Sequence, residues 1–181
     1  MLTVILTGGA SRRMGRDKAM LPVDGKAMAL MLAEKYAELG PVAFSVDRRG
    51  RFPMGEYREL EDRYPGCGPL NGLVSAFMDT EEDVIFLTAT DMPGGDPGAA
   101  EHLLAHLGEH DACLYEGEPL FGVYRRSCLA PAVKSLEAGE YALRRFLRKV
   151  DALELPAPRR EILQNLNTPE EYRDFLSRTI K

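Results

Sequence analysis

A pair of glycines and a cluster of cations follow the first apolar stretch of the chain. Gly8 and Gly9 end that stretch, and the cations that come within the next nine residues are Arg12, Arg13, Arg16 and Lys18. Glycines after a strand let the backbone turn sharply and bring its N–H groups close to a ligand. Such amides, together with Arg and Lys side chains, bind phosphate. Because the whole chain is acidic, with a formal net charge of −5, this local cationic loop predicts a site for a small polyphosphate.

Two common phosphate-binding motifs do not fit this loop. A P-loop has four residues between its glycines and then a lysine, whereas five residues separate Gly9 from Gly15 and Arg16 follows. The dinucleotide fingerprint G-x-G-x-x-G is absent as well. An exposed basic turn stays open as the alternative reading.

Asp91 is the second candidate for chemistry, because it follows the apolar run from Val84 to Leu87. A carboxylate just past a buried strand is well placed to hold Mg²⁺, which takes one or two carboxylates plus substrate phosphates. An aspartate before Met92-Pro93 also suits a turn or a helix cap. The neighbouring phosphate loop favours the metal, so we expect Asp91 to be a Mg²⁺ ligand.

Alternating apolar and helical patterns indicate the elements that must position these groups. We expect a Rossmann-like α/β fold, with a mostly parallel sheet flanked by helices, in one domain over residues 1–181. The predicted strands are 2–7, 42–46, 57–60, 83–88, 112–115 and 120–124. The predicted helices are 26–39, 70–79, 97–106 (capped by Asp96), 129–137, 141–150 and one opened by a capping box at Thr168–Glu171, with a turn at 22–25. Ligands bind at the carboxyl ends of such strands, so both loops should face one crevice.

Composition excludes several classes of protein. A net charge of −5 argues against a nucleic-acid-binding protein, and no apolar run approaches the 18 residues of a membrane span. The first apolar run has no basic segment before it and ends at Gly8, which predicts a buried strand and not a signal peptide. The three cysteines form no C-x-x-C pair. We therefore expect a cytoplasmic protein without nucleic-acid or membrane partners.

Four stretches together resemble the molybdenum-cofactor guanylyltransferases, a branch of the nucleotidyltransferases of the nucleotide-diphospho-sugar transferase type. The first, from Leu6 to Lys18, is similar to the family signature L-A-G-G-x-S-x-R-M-G-x-x-K, with Thr7 in place of the usual alanine. The others are Pro65–Gly72 (P-G-x-G-P-L-x-G), Thr90–Pro93 (C-D-x-P, with threonine for cysteine) and Asn165–Pro169 (N-x-N-T-P). The resemblance covers nearly the whole chain.

The resemblance implies a role for each matching residue. Lys18 and Arg13 would reach the phosphates, Asp91 would hold Mg²⁺, and Asp62 would lie near the base and ribose. Ser45 would be a weaker nucleotide contact. The residues implied to line the nucleotide are Leu6, Thr7, Gly8 and Gly9, and those implied to lie towards the pterin are Asn165 and Asn167. At position 7 a threonine would either crowd the nucleotide or add a hydroxyl contact.

The implied reaction transfers GMP from GTP to the terminal phosphate of molybdopterin and releases pyrophosphate, with Mg²⁺ as cofactor. Transient contact with a molybdoenzyme or a delivery protein would follow. The alternatives are a cytidylyltransferase acting on the same pterin, a sugar-1-phosphate nucleotidyltransferase and a non-catalytic module that binds and delivers the cofactor. The pairs Arg125-Arg126 and Arg144-Arg145 are interpreted as solvated ends of elements, with contact to the pterin phosphate as the second reading.

Overall fold

A computed structural model describes residues 1–8, 17–50 and 55–179. Within these residues the strands are Leu2–Leu6 (β1), Pro22–Val23 (β2), Lys26–Ala27 (β3), Val42–Val46 (β4), Arg58–Glu61 (β5), Val84–Ala89 (β6), Ala112–Tyr115 (β7), Glu118–Arg125 (β8) and Ala152–Leu155 (β9). The α-helices are Met28–Tyr36 (α1), Gly68–Asp79 (α2), Pro97–His106 (α3), Leu129–Glu137 (α4), Leu143–Phe146 (α5) and Pro169–Thr179 (α6).

Seven of the described strands form one sheet in the order β5-β4-β1-β6-β8-β7-β9. The first four run parallel to one another, and β8 is antiparallel to both β6 and β7. At the far edge β9 pairs parallel with β7. The predicted Rossmann-like, mostly parallel sheet flanked by helices is therefore confirmed. The carboxyl ends of β1 and β6 and the amino end of β8 meet at one edge of this sheet.

The central strand β1 is buried on both faces. Ile5 packs with Phe44 and Phe86 in one core cluster, which also contains the buried residues of α1 and α3. Val4 and Leu6 lie in a second cluster with the buried residues of α2 and α4. Each buried aliphatic side chain contributes roughly 1.5–3 kcal/mol, and burial on both faces explains why β1 reads as a continuous apolar run.

Two predicted helix starts are confirmed in detail. The carboxylate of Asp96 accepts a hydrogen bond from the backbone N–H of Ala99 at 2.9 Å, at the start of α3. At the start of α6, Thr168 Oγ1 accepts from the N–H of Glu171 at 3.2 Å, and Glu171 Oε2 accepts from the N–H of Thr168 at 2.9 Å. This reciprocal pair is a capping box.

The structure differs most clearly from the sequence prediction in three places. The helix expected from residue 26 begins at Met28, because β3 pairs with β2 in a hairpin whose turn residues, Asp24 and Gly25, have positive φ values of 48° and 78°. The helix expected over 141–150 is shorter, since α5 gives way to a 3-10 turn at Leu147–Lys149. Strand β9 was not predicted, because three of its four residues are only partly buried, Glu154 is exposed, and the apolar signal is weak.

None of the helices in the described ranges has both the length and the apolar character that a bilayer span requires.

Candidate active site

A cleft of about 260 Å³ opens where β1 and β6 end. Its walls come from the end of β1, the short helical turn after the glycine loop, the start of α2, the end of β6, strand β8 and the segment before α6. The residues that line it are Leu6, Thr7, Gly8, Lys18, Pro69, Ala89, Thr90, Asp91, Leu120 and Asn167. Six of the residues expected at the site thus share one cleft, as the shared edge of a parallel sheet requires.

The end of β1 is held rigidly by its neighbours. The carbonyl of Leu6 accepts from the N–H of Thr90 at 3.1 Å, and the N–H of Thr7 donates to the carbonyl of Ser45 at 3.2 Å. The Thr7 hydroxyl donates to the same carbonyl at 2.6 Å, and the residue is only 3% exposed. The hydroxyl of Thr7 therefore reinforces the β1–β4 contact, and its hydrogen is not directed at a ligand.

Two glycines beside this strand end serve different purposes. A Cβ at Gly72 would collide with Leu6 Cδ2 and come within 3.0 Å of Ser45 Oγ, so α2 can press against β1 and β4 only with glycine there. A Cβ at Gly8 would meet no atom of the described residues within 4 Å. Packing within the described chain does not require glycine at position 8, and the open space above it is available to a ligand.

Asp91 carries a carboxylate with one unused oxygen. Among the described residues, its Oδ1 is buried and has no hydrogen-bond partner, while Oδ2 lies 3.6 Å from Lys18 Nζ. A buried polar atom without a partner costs free energy that a bound group can recover. A single carboxylate is a donor set that fits Mg²⁺, which takes one or two carboxylates and completes its shell with substrate phosphates and water.

Lys18 connects the glycine loop to the carboxyl-terminal segment. Its ammonium group donates to Asn167 Oδ1 at 2.9 Å, across 149 residues of sequence, and its side chain is 16% exposed. Asn167 is held in turn by its own N–H, which donates to Glu171 Oε2 at 2.6 Å. The capping box of α6 therefore positions a side chain that orients Lys18.

The other carboxyl-terminal asparagine points elsewhere. Asn165 is absent from the lining of the cleft, and its Nδ2 donates to Glu118 Oε2 at 3.3 Å. Between the two asparagines, the N–H of Leu166 donates to the carbonyl of Asp91 at 2.7 Å. Three successive residues thus tie the segment to β8, to the β6 loop and to Lys18.

Asp62 lies apart from this cleft, at the end of β5. It accepts a hydrogen bond from Ser45 Oγ at 3.2 Å, so the two predicted nucleotide contacts form one pair. Burial raises the pKa of Asp62 above its ordinary value, and the bond from Ser45 partly offsets that rise. Ser45 is on β4 and Asp62 follows β5, which lie two and three strands from β6 on the side away from β8. Gly9 and Arg13, the remaining predicted site residues, lie outside the described residues.

The profile of the MobA-like NTP transferase domain matches residues 3–154 of this chain. The chain belongs to the MobA-like NTP transferase family. A relative from Carboxydothermus hydrogenoformans, named as a probable molybdenum cofactor guanylyltransferase, is 30% identical over 97% of this chain and 95% of its own length. A relative of the same name from a Geobacillus species is 29% identical, covering 98% of each chain. The predicted family resemblance is confirmed.

Solved structures confirm the fold of the MobA-like family. Molybdopterin-guanine dinucleotide biosynthesis protein A from Archaeoglobus fulgidus superposes with a TM-score of 0.81 at 23% identity, covering 99% of this chain and 96% of its own. A 2-C-methyl-D-erythritol 4-phosphate cytidylyltransferase from Thermus thermophilus gives a TM-score of 0.71 at 11% identity, covering 97% and 95%. The sheet is thus shared with nucleotidyltransferases of the nucleotide-diphospho-sugar transferase fold.

Within this MobA-like domain, Lys35 is a supporting residue that sequence reasoning missed. Its ammonium group, on α1, donates to the carbonyls of Pro93 at 2.7 Å and Gly95 at 3.0 Å, and so pins the loop that follows Asp91. Burial lowers the pKa of Lys35, and the charge of Asp96 partly offsets this. No local signal predicts the contact, because its partners lie 58 and 60 residues away.

The arginine pairs take positions that the sequence left open. Arg126 donates to the carbonyls of Phe77, Thr80 and Glu82, before the start of β6 and therefore at the sheet edge opposite the cleft. The reading of this pair as a phosphate contact is wrong for Arg126. Arg144 instead donates to the carbonyl of Gly117, beside Glu118 at the cleft edge.

Proposed function

We propose that this chain is a molybdenum cofactor guanylyltransferase, which transfers GMP from GTP to the terminal phosphate of molybdopterin and releases pyrophosphate. The observation that carries the proposal is the cleft that joins Lys18, Asp91 and Asn167. It occurs in a MobA-like domain whose relatives with this name match it over nearly their full length.

The end of β1 and the glycine loop form the nucleotide side of the proposed site. Lys18 and, from the loop, Arg13 neutralise the phosphates of GTP. Asp62, oriented by Ser45, lies towards the base and ribose. The residues that line the nucleotide are Leu6, Thr7, Gly8 and Gly9. The support is that the β1 end is rigid and the space above Gly8 is open, so the backbone can meet the ligand closely without rearranging.

The proposed reaction is an in-line displacement at phosphorus. An anionic oxygen of the molybdopterin phosphate bonds to the α-phosphorus of GTP, and the bond from that phosphorus to the oxygen bridging the β-phosphate breaks. Pyrophosphate leaves with the electron pair. Because the nucleophile is already ionised, no general base is needed, and the protein contributes positioning and charge neutralisation. Lys18, fixed between Asn167 and Asp91, stabilises the negative charge that gathers on the leaving group.

Asp91 is the proposed ligand of the metal, because its buried Oδ1 has no partner among the described residues. Mg²⁺ bound there would neutralise charge on the phosphates of both substrates. Lys18 Nζ lies 3.6 Å from Oδ2 of the same carboxylate and helps to orient it. In this arrangement Lys35 holds the loop that carries Asp91.

Asn165 and Asn167 form the acceptor side of the proposed site. They flank the buried Leu166, with Asn167 bonded to Lys18 in the cleft and Asn165 bonded to Glu118 at the start of β8. GTP as donor agrees with action in the cytoplasm, which we also propose. The product would then pass to a molybdoenzyme or a delivery protein by transient contact.

The proposal is tested with purified protein, Mg²⁺ and molybdopterin. We expect pyrophosphate and the guanine dinucleotide to form with GTP, and much less product with CTP or ATP. We also expect GTP with Mg²⁺ to raise the melting temperature more than CTP or ATP does. Faster turnover with CTP would make the chain a cytidylyltransferase. Tight binding of the cofactor with no pyrophosphate would make it a delivery module.

A further inference from the structure

Glu118 is a carboxylate that the proposed chemistry does not use. It begins β8, and because β8 is antiparallel to β6, it lies at the same sheet edge as Asp91. Leu120, two residues further on, lines the cleft. Glu118 therefore lies at the start of β8, two residues along the strand from the wall of the cleft.

Glu118 is a partly desolvated carboxylate. The residue is half-buried, and its Oε2 accepts a hydrogen bond from Asn165 Nδ2 at 3.3 Å. Burial raises the pKa of its carboxyl. Asn165, the backbone of Leu120 and the charge of Arg144 partly offset this, and the nearby Asp91 adds to the rise. Desolvating a carboxylate costs free energy unless hydrogen bonds replace the lost water, and the N–H donors of a bound ligand would add such hydrogen bonds.

Glu118 and Asp62 lie on opposite sides of the phosphate-binding groups. Asp62 follows β5, Glu118 begins β8, and β4, β1 and β6 lie between them in the sheet. Four strand spacings of about 4.8 Å separate β5 from β8 by about 19 Å. Lys18 and Asp91 line the cleft that lies in the middle of this span, where β1 and β6 end.

The acceptor and the nucleotide have matching chemistry at their outer ends. Guanine and a pterin each present an amino group beside a ring N–H, and the phosphates lie between the two rings in the joined product. A carboxylate repels the phosphates, but its two oxygens can accept from adjacent N–H donors. Of the two substrates, the pterin is the one that must extend towards β8 if the nucleotide lies towards Asp62.

We propose that Glu118, oriented by Asn165, accepts hydrogen bonds from the amino-pyrimidinone edge of the pterin and is a specificity-determining residue for the acceptor. This rests on the proposed function. Asn165 acts on the acceptor through Glu118, which explains why its side chain turns away from the cleft that holds Lys18 and Asn167.

The first experiment separates recognition of the acceptor from recognition of the nucleotide. Glu118→Gln keeps the size of the side chain and replaces one acceptor oxygen by a donor. We expect the KM for molybdopterin to rise about tenfold, as when a buried N–H loses its acceptor. The kcat and the KM for GTP should stay within about twofold of the parent's. Glu116→Gln, an exposed change in the same hairpin, is the matched control. A raised KM for GTP alone, or no change in either KM, would overturn the proposal.

The second experiment tests the hydrogen bonds by changing the ligand, so the comparison is made on the same folded protein. Free pterin and lumazine, in which an oxygen replaces the amino group, are compared as competitors of molybdopterin. The unaltered protein should bind pterin at least about tenfold more tightly than lumazine, and Glu118→Gln should lose most of that preference. If the unaltered protein transfers GMP but shows no preference, the inference fails and the proposed function stands. If it transfers no GMP to molybdopterin, both fail.

Discussion

The two halves of the central sheet contribute to the cleft in different ways. In the parallel half, formed by β5, β4, β1 and β6, the site rests on buried residues and backbone hydrogen bonds, such as Thr7 and Ser45 at 3% and 4% exposure. In the mixed half, formed by β8, β7 and β9, Leu120 lines the cleft, and beside it the half-buried side chains of Glu118 and Asn165 hold one another. A rigid backbone platform suits a phosphate group that is always the same. Side-chain pairs suit the recognition of one particular acceptor.

The largest expected effect is in the parallel half, with Asp91→Asn. The change keeps the size and the turn-forming hydrogen bond but removes the anionic oxygen that Mg²⁺ prefers. We expect guanylyl transfer to fall by about 10²–10³, as for other lost electrostatic stabilisers. Pyrophosphate release at saturating GTP and varied Mg²⁺ measures it, with circular dichroism to check folding.

Asp96→Asn is the matched control, because it lies on the same loop and an asparagine still caps α3. It should keep most of the activity. A folded Asp91→Asn protein with near-normal turnover would show that Asp91 only forms a turn, and the rigid half would then lack its metal ligand.

Lys18→Ala should give the next largest effect. We expect GTP to bind about tenfold more weakly, because one charge-assisted hydrogen bond is lost. The rate of guanylyl transfer should fall as well. Calorimetry of GTP binding measures the first and pyrophosphate release the second. Lys26→Ala, which removes an exposed lysine paired with Glu34, should leave both unchanged. An unaltered dissociation constant of GTP for Lys18→Ala would support the alternative interpretation of the glycine loop as an exposed basic turn.

Lys35→Met tests the support of the Asp91 loop in the parallel half, because Lys35 does not line the cleft. It removes the two hydrogen bonds to the carbonyls of Pro93 and Gly95. We expect a rate lower by about tenfold at limiting Mg²⁺ and partly recovered at high Mg²⁺, since each lost bond costs about 0.5–1.5 kcal/mol and the loop positions Asp91. Lys134→Met, an exposed change on α4, is the control. Equal losses at all Mg²⁺ concentrations would assign Lys35 to stability alone.

The smallest expected effect is on the pH dependence of the free energy of unfolding, and it involves one carboxyl group in each half of the sheet. Burial raises the pKa of Asp62 above 3.8 and that of Glu118 above 4.5. A raised folded-state pKa means that the native state binds protons more tightly than the unfolded state. The stability from each group is therefore present below its ordinary pKa and is lost as the pH rises through the folded-state pKa.

Replacing either carboxyl by its amide should flatten this loss. We expect Asp62→Asn and Glu118→Gln each to weaken the fall in the free energy of unfolding from about pH 4 towards neutrality, measured by urea titration. A steeper fall in either variant would mean that hydrogen bonds to the charged carboxylate, and not burial, decide the direction of its pKa shift.

The sequence predicts the parallel half better than the mixed half. Strands β1 and β6 are buried on both faces, so they appear as uninterrupted apolar runs that end at glycine or aspartate. Strand β9 lies at the sheet edge and has no buried residue, so no pattern distinguishes it. The sequence predicts a turn at 22–25 and places Lys26 and Ala27, which form β3, in the first helix, because two residues per strand are too few to show alternation.

The sequence by itself determined the elements that lie along the chain: the glycine loop after β1, the aspartate after β6, the caps of α3 and α6, and the family. These depend on local backbone preference and on motif spacing, which the order of residues contains. Only the tertiary structure decided that Asn167 meets Lys18, that Asn165 meets Glu118, and that Lys35 pins the Asp91 loop. Those contacts join residues 47 to 149 positions apart, and a side chain finds such a partner only once the sheet order and the packing of the helices have brought the two segments together.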